Sequence, residues 1–433
     1  MPASWNRLPR VRHRRLIEWQ DRTAPLPDAG VPLLARGNGR SHGDACLNNG
    51  GTLLLTRGMD RLIAFDRGTG IVDCEAGILL GDLLRWSLPQ GWMLPVVPGT
   101  QRITVGGAVA NDVHGRNHPV AGSFGRHVLD LDLLRSSGGH LRTSSAEYAD
   151  LFAATIGGLG LTGLITRVRL QMIPVNNDLM LTKGIRFRHL DAFWEINDGL
   201  GREWPYTVAR IDGVARGRSL GRGWFLAGRH APPQPAGTHL PRWRDQSRRM
   251  PFDMPSALVN RYTVRAVNAL YYRAASLRGR HLQHYQSHLF PLDGLRDWNR
   301  IYGRRGFYRY QCVLAREQAR DGIRILLKRI AASGQGSSLA VVKTFGDLPS
   351  PGLLSFPRPG VTLALNFANR GSRTLRLFSD LDDIVSAAGG ALYPGQDVRM
   401  SVTMFRRGFP QWERFASLVD PAFSSSFWRR MNP

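Results

Sequence analysis

The sequence predicts an α+β protein of two domains, and three observations carry that expectation. The chain has 433 residues, 42% hydrophobic and 21% charged, so it is globular and longer than one typical core supports. Up to about residue 175, short apolar runs alternate with glycine turns. From Asn176 the texture changes to longer, aromatic and arginine-rich segments, as expected of a second sheet with a different task.

In the first part, VPLLARG predicts a strand ending in the turn GNGRSHGD. TLLLT, LIAFD and IVDCEAG read as strands, and ILLGDLLRWSLPQ has the apolar spacing of an amphipathic helix. VLDLDLLRSSGGHLRTSS reads as a hairpin across Gly138 and Gly139. ADLFAATIG follows as a helix, Gly157 to Gly163 as a tight turn, and LITRVRLQMIPV as a strand. Farther on, HYQSHLFPL, GFYRYQCVLA, LAVVKTFG and VTLALNFAN predict strands, with REQARDGIRILLKRIAASG as a crossing helix. The Pro-rich patch APPQPAG, residues 231–237, reads as an exposed loop. The tail, VRMSVTMFRRGFPQWERFASLVDP, is helical by periodicity and is expected to pack back onto the first domain.

Cys46, Cys74 and Cys312 are too few and too scattered for a disulfide framework or a zinc site. No apolar run reaches spanning length and the start lacks the apolar stretch of a secretory signal, so cytoplasmic residence is expected. The formal charge of +25 points to a polyanion or an anionic membrane surface. The clearest basic cluster runs from Arg242 to Arg280 with Trp243, Tyr262, Tyr271 and Tyr272 interleaved, a composition suited to lipid headgroups. With no zinc-finger spacing, RNA-recognition signature or repeat, nucleic acid is not expected as a partner.

Two stretches carry chemistry. In PGTQRITVGGAVANDVHGRNHPVAGSFG, Gly99, Gly106, Gly107, Gly115, Gly122 and Gly125 let the main chain approach a large polar ligand, although a ligand-free glycine loop has the same composition. GNGRSHGD is not a GxGxxG fingerprint, but its turn amides can form an anion nest reinforced by Arg36 or Arg40. Two such loops could clamp a pyrophosphate. His114 and His118 lack the helical carboxylate of a zinc motif, so no metal is expected and a hydrogen-bonding or acid/base role fits better. Lys343 is one of only three lysines in an arginine-dominated chain, which suggests a need for a compact, tunable ammonium; an edge-strand lysine reaching solvent is the alternative.

ARGNGRSHGD, LPVVPGTQRITVGGAVANDVHGRNHPVAGSFG and ATIGGLGLTGLITRV resemble the PCMH-type FAD domain of the vanillyl-alcohol-oxidase superfamily. Within it, the likeness is to the decaprenylphosphoryl-β-D-ribose 2′-oxidase group. It continues through PLDGLRDWNRIYGRRGFYRYQCV, VVKTFG, LSFPRPG, ALYPGQD and the terminal VDP, and so covers nearly the whole chain. The resemblance implies an FAD domain formed by residues 1–177 and 391–433, with an antiparallel-sheet substrate domain, 178–390, inserted between. It places FAD against Arg36, Gly37, Asn38, Gly39, Arg40, Ser41, His42 and Gly43 of the first loop. The second loop contributes Pro98, Gly99, Thr100, Val105, Gly106, Gly107, Asn111, His114, Gly115, Asn117, His118, Gly122 and Ser123, with Gly163, Ile165 and Tyr393 from elsewhere. Arg40 stands at the superfamily's usual covalent-attachment position and His42 two residues beyond, so dissociable FAD is expected.

The implied activity is oxidation of the 2′-hydroxyl of a polyprenylphosphoryl ribose, with a short-chain reductase completing epimerisation to the arabinose. Catalytic positions would be His114, Lys343, Tyr310 and Gln396. Three residues depart from the group's pattern. Gln396 stands where a lysine is expected, Ala364 where mycobacterial members have cysteine, and Asn366 where they have aspartate. The first replaces a cation beside the flavin pyrimidine by a neutral amide. Two other readings share these motifs: a soluble sugar-alcohol or aldonolactone oxidase, and a non-catalytic flavin-fold protein that binds a membrane or polyanion.

Overall fold

Short apolar runs build the first part of the chain into two sheets, Leu33, Leu34, Leu53 and Leu54 being buried on successive positions of the smaller one. The computed structural model describes residues 2–200, 203–233, 247–274, 279–337 and 339–432. Three parallel strands, Arg15–Glu18, Thr52–Leu55 and Leu33–Arg36, lie side by side in that order. Beside them an antiparallel sheet runs Leu62–Asp66, Ile71–Glu75, Leu164–Gln171, Val128–Arg135, Gly139–Ser144. Its Val72, Cys74, Leu131, Val168 and Leu170 belong to the same buried cluster as Leu80, Leu83 and Leu84 of the helix Leu80–Ser87. Those three leucines recur at helical spacing. The hairpin across Gly138 and Gly139 forms as expected, Gly139 taking the left-handed turn conformation at φ 68°.

The second part forms one eight-stranded antiparallel sheet. Its order is His281–His284, Leu179–Phe187, Gly223–His230, Tyr206–Ile211, Ala340–Phe345, Gly360–Ala368, Phe307–Leu314, Ala391–Leu392. One face is covered by the helices Arg316–Ser333 and Ser372–Ala387, whose Ile323, Leu326, Ile330, Leu377, Phe378 and Leu381 are fully buried in the largest core. The opposite face carries Arg309, Gln311, Lys343 and Thr362 and turns toward the second glycine-rich loop. HYQSHLFPL, expected as a strand, contributes only His284 to the sheet. Tyr285–Leu289 is a helix instead, because its buried Tyr285 and Leu289 are four residues apart and His284 Nδ1 accepts from the Gln286 amide at 3.3 Å.

The C-terminal helices Val402–Gly408, Trp412–Leu418 and Ser426–Met431 return to the first part of the chain. Asp420, fully buried, accepts from the Ser136 amide at 2.9 Å and hydroxyl at 2.6 Å, and Arg430 pairs with Asp44 at 2.9 Å. Among the described residues no helix is long and apolar enough to cross a membrane.

Candidate active site

Three backbone segments converge on a groove enclosing about 1670 Å³ of non-protein space, part of it open to solvent. The first is the turn after the strand Leu33–Arg36. The second runs from Pro98 to Asn111, and the third is the turn Tyr393–Gln396. Their spacing is set by glycine: a Cβ on Gly37 would lie 2.3 Å from Thr104 Oγ1, and one on Gly43, at φ 83°, would lie 1.8 Å from the Asp397 carbonyl oxygen. Hydrogen bonds then sew the segments together. Asn38 Nδ2 donates to the Arg102 carbonyl at 2.7 Å, the His42 amide to the Gly395 carbonyl at 3.2 Å, and the Tyr393 hydroxyl to the Asn111 carbonyl at 3.0 Å. Thr104 caps the short helix Val105–Ala110, accepting from the Gly107 amide at 3.1 Å.

A second cluster adjoins this groove. His114 Nδ1 lies 3.1 Å from Lys343 Nζ, and its Nε2 lies 3.2 Å from Gln311 Nε2, which also donates to Thr362 Oγ1 at 3.2 Å. The imidazole is boxed by Phe345, Phe356 and Tyr393, with centroids 4.7, 6.2 and 6.1 Å away. Burial, then the Lys343 charge, holds the His114 pKa well below the ordinary imidazole value, so the ring is neutral. Burial, then Arg309 and Arg116, brings Lys343 down to about 7. The sheet therefore supplies an amine that changes charge near neutrality beside an imidazole that does not.

The chain is 34% identical to decaprenylphosphoryl-beta-D-ribose oxidase of Mycolicibacterium smegmatis over 94% of its own length and 91% of the relative's. It belongs to that family. Residues 19–144 also match the FAD binding domain family. An uncharacterized protein in the mprA 5′ region of Streptomyces coelicolor is 36% identical over 82% of this chain and all of the relative. Cytokinin dehydrogenase 3 of Arabidopsis thaliana is 31% identical over 42% of this chain and 34% of its own. The protein is thus an FAD-dependent oxidoreductase acting on a hydroxyl group.

The groove suits that cofactor on its own terms. A Cβ at Gly99 would meet nothing within 4 Å, so the backbone there is open to a ligand, while Arg40 Nε and His42 Nε2 are buried at its wall without a protein partner. Arg36, Gly37, Asn38, Gly39, Arg40, Ser41 and His42 line it, as do Pro98, Gly99, Thr100, Gly106, Gly107, Asn111, Gly163, Ile165, Tyr393 and Gln396. Gly43, Val105, Gly115, Asn117, His118, Gly122 and Ser123 do not: they shape the loops from behind. Val105 is core, Asn117 donates to the Pro95 carbonyl, and His118 Nδ1 accepts from the Gly346 amide, anchoring the loop to the large sheet. Tyr310 is displaced from its expected role. Strand alternation puts it on the helix-covered face, where its hydroxyl donates to Asp382 at 3.1 Å, and gives the cluster face to Arg309 and Gln311.

Gln311 and Arg309 were not foreseen, although period two along FYRYQCVL would have separated them from Tyr310 and Cys312. Asp293 was also missed; it accepts from the Thr100 hydroxyl at 2.6 Å and the Gln101 amide at 2.9 Å, tying the second loop to the large-sheet part. Lys343 makes the ligand-free protein pH-sensitive. With its folded pKa near 7 and the ordinary value 10.5, the native state binds fewer protons than the unfolded state between these values. Its destabilisation is therefore complete below pH 7 and fades as pH rises toward 10.5. Flavin-stripped Lys343→Met should be more stable than wild type at pH 6 by on the order of a few kcal/mol. The gain should shrink steadily up to pH 10; a pH-independent gain in thermal unfolding would contradict this assignment.

Proposed function

We propose that this chain oxidises the 2′-hydroxyl of a polyprenylphosphoryl-β-D-ribose to the 2′-keto sugar. The observation that carries the reading is the match to decaprenylphosphoryl-beta-D-ribose oxidase over nearly the full length of both chains, large-sheet part included. Bound FAD supplies the acceptor for the two electrons and the hydrogen leaving the carbinol carbon. The hydroxyl proton falls to the protein. His114 is a poor final acceptor because its pKa is so low, whereas Lys343, near 7, is matched to neutral pH. Their nitrogens are 3.1 Å apart, so the two side chains hold one mobile proton between them, with Gln311 fixing the far side of the ring. The keto product would be the substrate of a separate short-chain reductase.

Anaerobic mixing with prenylphosphoryl ribose should bleach the flavin and yield the keto sugar as the end product until such a reductase is added. Bleaching by free alditols instead would favour the soluble sugar-alcohol oxidase. His114→Ala should slow bleaching roughly 10²-fold or more with FAD content unchanged. The residue at the expected attachment position, Arg40, carries a guanidinium with no nucleophilic atom for the flavin, and it stacks over Trp5 at 4.1 Å. The expectation is FAD held without a covalent bond, so acid precipitation should leave all the flavin in the supernatant; flavin retained in the pellet would implicate His42.

The lipid substrate also gives the helix Arg261–Ala274 a role. Only Val264 and Asn268 are buried, leaving Tyr262, Leu270 and Tyr271 exposed at 67, 68 and 47% beside Arg261, Arg265 and Arg273. Between residues 247 and 281 the one acidic residue, Asp253, is paired with Arg7. Arg242 and Trp243 of the same basic cluster lie outside the described residues. An apolar and basic face of this kind suits peripheral binding to an anionic membrane. The protein should cosediment with vesicles containing phosphatidylglycerol but not with purely zwitterionic ones, and Leu270→Glu should weaken binding several-fold.

A further inference from the structure

Arg309 is a cation with no carboxylate to answer it. It sits in the middle of the strand Phe307–Leu314, on the face opposite Tyr310, and lines the groove together with Tyr393 and Gln396. Its Nε donates to Gln396 Oε1 and its Nη1 to Asn366 Oδ1 at 3.2 Å; both partners are neutral amides. Among the described residues no Asp or Glu lies within ion-pair distance of it, whereas the nearby Arg399 and Arg430 pair with Asp382 and Asp44. Burial lowers its pKa only to about 10, so it stays charged at neutral pH. An uncompensated charge in such surroundings is costly, and the protein orients it with side chains that neither neutralise nor screen it. That arrangement suits an anion that is present only when the ligand is bound.

Position narrows the choice of anion. The glycine turn at Gly37 and Gly39 offers backbone amides for phosphate on the far wall of the groove, while Arg309 enters from the large sheet. It stands on the same sheet face as Gln311 and Lys343, and its charge acts on both His114 and Lys343, so it lies at the reacting end. A flavin that takes up two electrons there gathers negative charge on the neighbouring pyrimidine edge, N1 and the C2 carbonyl. We propose that Arg309 holds this charge, with Gln396 as the clamp that aims the guanidinium and, through an Nε2 that has no protein partner among the described residues, as a second donor. Gln396 is then one half of a relocated cation site, the charge having moved from the Tyr393–Gln396 turn to the facing strand. The inference rests on FAD occupying this groove.

The test uses holoenzyme and sulfite, which adds to the oxidised flavin and reports how well the site supports negative charge on it. Arg309→Gln should retain its FAD but bind sulfite about tenfold or more weakly, the scale of one charge-assisted hydrogen bond. The midpoint potential should fall with it. The double variant Arg309→Gln with Gln396→Lys, which returns the cation to the turn, should recover most of the sulfite affinity. A purely structural role would not be rescued in this way, and an unrescued loss would overturn the proposal. So would unchanged sulfite affinity in flavin-replete Arg309→Gln, including the case where only the KM for prenylphosphoryl ribose rises, which would assign Arg309 to the substrate phosphate. Should Arg309→Gln be colourless, the double variant decides: sulfite affinity near wild type upholds the proposal, and a tenfold loss or absence of flavin overturns it. Absence of flavin from the wild type would instead overturn the FAD assignment on which the proposal rests.

Discussion

His114 Nδ1 and Lys343 Nζ meet at 3.1 Å across the seam between the second glycine-rich loop and the large sheet, and the chemistry of the site depends on that meeting. The loop brings His114 in through an isolated antiparallel bridge to Ser123. The sheet brings Lys343 in at a register that puts it opposite Thr362, one diagonal step from Gln311. The seam is locked on either side by polar contacts of a purely structural kind. His118 accepts from the Gly346 amide, and Ser355 donates to the buried Asp112 at 2.6 Å. A displacement of either wall by one ångström would break the histidine–lysine contact, and the rigidity around it is what makes a shared proton possible.

The groove is built by the opposite strategy. Where the cluster relies on side chains, the groove relies on the absence of side chains: Gly37 against Thr104, Gly43 against Asp397, and Gly395, whose Cβ would lie 2.3 Å from Asn111 Oδ1. Each removes the atom that would push two loops apart, so the three segments close to the width of a flat ligand rather than that of a side-chain layer. The C-terminal segment is part of this construction. Asp420 and Arg430 hold it on the first part of the chain, while pairing of Leu392 with Cys312 and the Tyr393 amide, donating to the Gln311 carbonyl at 3.0 Å, hold the Tyr393–Gln396 turn in the groove wall.

The sequence was most legible where one physical rule dominated. The hairpin at Gly138 and Gly139, the helix Leu80–Ser87 and the groove-lining glycines follow from turn chemistry, helical spacing and close backbone approach. It was least legible where tertiary pairing outweighed local pattern. LMLTKGIRF, YTVARI and GWFLAGRH form three strands of the large sheet although Gly, Lys and Arg interrupt their apolar runs: Arg186 and Arg210 fall on the face turned toward the site, and Lys183 and Arg229 are half-buried on the other. The error at Tyr310 has the same origin: in GFYRYQCV the tyrosines, Arg309, Gln311 and Cys312 could each carry chemistry, and only the register decides that Arg309 and Gln311 face the site while Tyr310 meets Asp382. The resemblance reached the right motif, and the alternation within it chose the residue.

Arginine dominates the basic residues of this chain, which gives the lone lysine of the site its meaning. Arg309 and Lys343 stand on the site face of the sheet, and the same burial acts on both. It leaves Arg309 near 10, charged at any physiological pH, and brings Lys343 to about 7, where charge and neutrality are nearly balanced. A guanidinium at position 343 could donate hydrogen bonds but could not accept the proton of an alcohol. An amine at position 309 would risk losing its charge in the same surroundings. The division follows from side-chain chemistry alone: a permanent charge serves where negative charge must be held, and a titrating amine serves where a proton must be taken up and released. A non-catalytic scaffold with the same fold would have no use for that difference, so the pairing of Arg309 with Lys343 favours an enzyme over a binding protein more strongly than the groove does.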